Sequence, residues 1–113
     1  MIPNKFIGLL FQSRDAMHLQ HLATTSYAEH KALDKYYDGI LDLIDSFTEK
    51  YFGRNGRSEI IIPESKKQDP VAHLTELRGI MEAERENYST DLQNILDEMI
   101  GLVNEILYLL TLV

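Results

Sequence analysis

Five residues carry the chemistry this chain could do: His21, then His30 and Asp34, then Asp45 and Glu49. His30 and Asp34 stand at i, i+4, as do Asp45 and Glu49, and on a helix that spacing is one turn. Imidazole and carboxylate groups so placed can point at one ion. Mixed nitrogen and oxygen ligation suits Fe(II), Zn(II) or Mn(II), and so few ligands leave coordination positions open. An open iron site can bind an oxidant, and carboxylates accept the added positive charge when Fe(II) becomes Fe(III). Asp38 and Asp42 extend the acidic face and can attract or relay cations. His18, one turn before His21, is expected to be structural or supporting, and His73 to be a lone surface or packing histidine.

These residues need helices to position them. Ile7, Leu10, Phe11, Met17 and Leu22 recur at helical spacing and place a first helix at about 4–23. Ser26 and Glu29 form a capping-box pattern, and Leu33, Tyr37, Ile40, Ile44, Phe47 and Tyr51 make one stripe, placing a second at about 27–52 with Gly53 as its stop. Residues 57–68 are polar apart from Ile60, Ile61 and Ile62, and are expected to be a connector laying those isoleucines over the bundle. Asp69-Pro70 opens a third helix at about 70–87, and Thr90 with Gln93 opens a fourth at about 91–111. Two helices, a long connection and two more helices predict a single all-α domain over residues 1–113, a ferritin-like four-helix bundle with a long connection between its second and third helices.

That architecture constrains the site. His30 and Asp45 are roughly 22 Å apart along one helix axis at the α-helical rise. One chain cannot hold a metal with both. A second copy of the helix, antiparallel across a two-fold axis, would set His30 and Asp34 against its partner's Asp45 and Glu49, giving two equivalent sites. His21 could add a nitrogen near His30. The C-terminal run Leu107–Val113 is apolar on nearly every side, which favours a subunit interface. For any single pair, a solvated acidic face with incidental histidines is the plainer account.

Composition narrows the classes. The chain has 113 residues, enough for one modest core. A net charge of −7 disfavours direct binding to DNA or to an anionic membrane and suits cationic partners. With no cysteine, disulfides, thiolate metal sites and a cysteine nucleophile are excluded. The apolar run Phe6–Phe11 is too short for a signal core, and no stretch approaches a membrane span, so a cytoplasmic protein is expected.

His18, His21, His30-x-x-x-Asp34 and Asp45-x-x-x-Glu49 resemble the ferroxidase motif of the Dps family, the mini-ferritins. The resemblance covers His18 to Glu49 and is similar to short Dps-like proteins of phages. It implies a ferritin-like fold and an inter-subunit iron site with His21, His30, Asp34, Asp45 and Glu49 as ligands. It implies oxidation of Fe(II) by hydrogen peroxide or oxygen, iron storage and protection against oxidative damage in a homo-oligomer, from a two-fold dimer to a dodecamer. Zinc or manganese could occupy the same ligands. The chain departs from the family pattern in having Leu22 after His21, a short His21–His30 interval and no lysine-rich tail. The alternative is a non-enzymatic helical interaction protein, for example a phage protein that binds a host factor through its acidic face.

Overall fold

Ser26 sets the first boundary. Its hydroxyl accepts the Glu29 amide at 3.2 Å, so it caps a helix that starts at the next residue. The structure, a computed structural model, describes Met1–Val113 in full, and its helices are α1 (Pro3–Ala23), α2 (Tyr27–Asn55), α3 (Pro70–Glu84) and α4 (Thr90–Leu110). A 3-10 turn, Arg85–Asn87, ends α3. There is no strand.

Two termini differ from the sequence expectation. Gly53 lies inside α2, and the helix stops only at Gly56, whose φ of 85° suits a residue without Cβ. The α4 start is capped by no side chain: Ser89, not Thr90, precedes the first turn, and Gln93 donates instead to the Arg85 carbonyl at 3.1 Å. The α3 start is simpler, with the Ala72 amide bonded to Asp69 at 2.9 Å and Pro70 in the first position.

Side-chain pairs fix the directions. Phe6 meets Phe47 and His21 meets His30, so α1 and α2 are antiparallel. Arg54 pairs with Asp91 and Lys35 with Glu105, so α2 and α4 are antiparallel. Ser13 reaches His73 and the Met1 amino group reaches Glu84, so α3 runs antiparallel to α1. The order around the bundle is therefore α1, α2, α4, α3, with α1 parallel to α4 and α2 parallel to α3. At 29 residues, α2 would span about 43 Å at the α-helical rise, and it sets the 43 Å length of the molecule.

Twenty-two buried apolar residues form one core, including Phe6, Leu10, Met17, Tyr36, Ile40, Ile44 and Phe47. The connector between α2 and α3 has no regular structure and crosses α1 as a strap. Ile60 packs on the core, whereas Ile61 and Ile62 stay about half exposed, so one of the three isoleucines covers the bundle as expected. The crossing point is Gly8. A Cβ there would lie 1.7 Å from the Ile61 carbonyl oxygen, so only glycine admits this approach. Gln12 donates to the Glu64 carbonyl at 2.9 Å and holds the strap further along.

Candidate functional site

The α1–α2 corner brings His21 and His30 together. Their rings stack at 3.7 Å and 17°. Each Nδ1 reaches the other residue's backbone carbonyl, His21 to His30 at 2.6 Å and His30 to His21 at 2.8 Å. A carbonyl only accepts, so each Nδ1 donates its proton to the carbonyl it faces. The pair closes the corner twice. It also gives a partner to a last-turn carbonyl of α1, which the helix leaves open. His18 stacks on Tyr37 at 3.9 Å, extending the ring cluster, and the Asp34 carboxylate beside Tyr37 holds that phenol above its ordinary range.

Of the five sequence candidates, the chain joins only these two. His21 is buried, His30 and Asp34 are half-buried, and Asp45 and Glu49 are exposed further down α2. No three side chains of the metal-binding types His, Asp and Glu gather in the chain to hold an ion. Asp34, Asp38, Asp42, Asp45 and Glu49 instead form a stripe along the outer side of α2. No cation of the chain pairs with any of them. Without a cation between them, a two-fold contact between α2 helices would bring these carboxylates of two copies together, and like charges at that range are unfavourable.

A second polar cluster escaped the sequence reading. Ser13 lies on the apolar stripe of α1 and is fully buried. Its Oγ is 2.7 Å from the Tyr36 hydroxyl and 2.7 Å from His73 Nε2, and His73 Nδ1 is 3.2 Å from Gln68 Oε1. With the His73 ring neutral and Gln68 Oε1 facing it, one proton order satisfies every atom. His73 Nδ1–H donates to Gln68, Nε2 accepts from Ser13, and Ser13 accepts from Tyr36. Burial lowers the His73 pKa from its ordinary value, opposed by Glu76, which agrees with a neutral ring. Burial also pushes the Tyr36 phenol far above its ordinary range. Ser13 cannot act as a nucleophile here, since no solvent or substrate reaches it. The cluster joins α1, α2, α3 and the end of the strap. His73 is thus a packing histidine, but not a lone one. The signal was available: Ser13 falls between Leu10 and Met17, and a hydroxyl on a core stripe requires partners.

The family of unknown function DUF5856 matches residues 21–110, most of the chain. The chain belongs to this family. An uncharacterized 14.6 kDa protein from the mobD-ri intergenic region of Enterobacteria phage T4 is 32% identical, over 96% of this chain and 88% of the relative. No solved structure matches the chain. Membership of DUF5856 corrects the resemblance to Dps. Neither comparison leads to a mini-ferritin, and the Dps, iron-binding, iron-storage and ferroxidase reading falls with it. The physical reason lies in α2. An acid-rich outer face on a long helix places carboxylates at i, i+4 by periodicity alone, and the two stacked histidines serve the corner. No helix of this DUF5856 chain is long and apolar enough to cross a membrane.

Proposed function

We propose that this protein is a non-enzymatic helical interaction protein that offers the acidic face of α2 to a basic surface of a partner protein. One observation carries the reading: five carboxylates, Asp34, Asp38, Asp42, Asp45 and Glu49, share one stripe and take no cation from their own chain. The same chain does use Lys35, Arg54, Arg78 and Arg85 in ion pairs, so cations are present but set elsewhere. Charge complementarity of this kind speeds encounter and selects partners more than it adds affinity. The T4 relative supports a phage setting, with a bacterial cytoplasmic protein as the partner. The parallel α2 and α3, joined by a crossing strap, support a ferritin-like arrangement used as scaffold. Exposed Tyr108, Leu112 and Val113 at the end of α4 support self-association beside it.

The test is affinity purification from bacterial host cells with the wild type and with a variant carrying Asp38→Asn, Asp42→Asn, Asp45→Asn and Glu49→Gln. A specific basic protein recovered by the wild type, released by salt and lost in the variant, is expected. Unchanged recovery by a folded variant would remove the acidic face from the function.

A further inference from the structure

The strap and α1 enclose a groove at the other end of the molecule from the histidine pair. It is a cavity of about 420 Å³ lined by Met1, Ile2, Lys5, Leu9, Ile61 and Pro63. Small-molecule sites run from roughly 300 to 1,000 Å³ and are mostly apolar with few polar groups. This lining fits that description, with a single exception to its apolar character. Met1 and Ile2 are each 54% exposed and Ile61 is 48% exposed, so the walls carry apolar surface that the chain does not cover.

The exception is Lys5. Its ammonium group has no ion pair within the chain. The other positive group at this end, the Met1 amino group, is held by Glu84 at 3.1 Å. A chain of net charge −7 therefore presents apolar walls and one uncommitted positive charge here. The groove's width is set by Gly8, because the Ile61 carbonyl rests where a side chain would otherwise lift the strap. Leu9 also borders a smaller hollow of about 160 Å³, where Gln12, Gln68, His73 and Glu76 stand. Glu76 repels an anion from that end, which leaves Lys5 as the place for a negative head.

We propose that this groove binds a single-chain amphipathic anion, with its alkyl chain along Ile2, Leu9 and Ile61 and its carboxylate beside Lys5. The sign of the ligand follows from Lys5, and its apolar body follows from the walls. Octanoate, octanol and octylammonium test this, since they differ in the head alone. Methyl-resolved NMR titrations at neutral pH should show octanoate shifting the Ile2, Leu9 and Ile61 methyls. It should bind about fivefold tighter than octanol, the scale of one exposed ion pair. Octylammonium should bind weakest. Lys5→Glu should reverse the order of octanoate and octylammonium, and because the Lys5 side chain makes no bond, an unchanged amide spectrum verifies its fold. Equal binding of all three heads, an order unaffected by Lys5→Glu, or shifts confined to other methyls would overturn the proposal. So would association with phosphatidylglycerol vesicles in the absence of any response to octanoate, which would assign the surface to a membrane.

Discussion

Replacing Ser13 with Ala should harm the protein through Tyr36. In the native order Tyr36 donates to Ser13 and Ser13 donates to His73. Ser13→Ala leaves the Tyr36 hydroxyl, fully buried, with no acceptor. An orphaned buried donor costs about 1–3 kcal/mol, so a loss of about 2 kcal/mol is expected. His73 Nε2 also loses its donor, but the ring is half-buried and water can replace the serine. Tyr36→Phe alone is milder. It removes the donor along with the lost bond and leaves Ser13 still donating to His73, at about 1 kcal/mol.

The double variant discriminates. With Ser13 already Ala, Tyr36→Phe deletes the orphaned hydroxyl and should restore stability rather than lower it further. The pair should cost about 1 kcal/mol in total against an additive sum of about 3, a coupling of about 2 kcal/mol. Urea unfolding of the four proteins, with midpoints compared at matched slopes, gives each value. Additivity within about 0.5 kcal/mol would refute the chain of bonds, since independent sites behave that way.

Gly8 and Gly101 make a matched pair. Gly101 has open space where a Cβ would go, so Gly101→Ala should stabilise α4 by roughly 0.5–1 kcal/mol, as helix propensity dictates. Gly8→Ala should instead destabilise, because its Cβ meets the Ile61 backbone; a gain in thermal midpoint at Gly8 would mean the strap does not lie there. Acid should weaken the fold through His73. Its folded pKa is lowered by burial, so the unfolded chain takes the proton first, and stability present above the ordinary value of 6.5 declines as pH falls from there toward the lowered value. His73→Gln should flatten that part of the profile, and an identical slope in the variant would place the proton elsewhere.

Much of this fold was legible because its signals are local. The cap at Ser26, the Asp69-Pro70 start and the stripe of α4 each depend on residues a turn or two apart. The end of α2 was not, because a helix of 29 residues absorbs the roughly 1 kcal/mol that Gly53 costs, and the stop needs the positive φ that Gly56 supplies. The strap's path was hidden for a different reason. It depends on a glycine in α1 and a carbonyl 53 positions away, and no local pattern joins them. The Ser13–His73 link spans 60 positions and is equally silent in one dimension.

The misreading of α2 has a physical cause that extends beyond this chain. An amphipathic helix confines its polar residues to one side, so any acid-rich outer face fills with i, i+4 pairs. Spacing then reports the helix before it reports a ligand. What separates the two is the fate of the atoms. A ligand set needs free lone pairs converging on one point, and here the acids diverge along a stripe while the histidines face each other. The Nδ1–H to carbonyl bonds of His21 and His30 are those that orient histidines in metal sites, yet the same bonds suffice to lock a helical corner. Only the convergence of a third group distinguishes the uses, and none converges in this chain. The acidic stripe keeps its charges unpaired within the chain, and that is the observation on which the proposed partner surface rests.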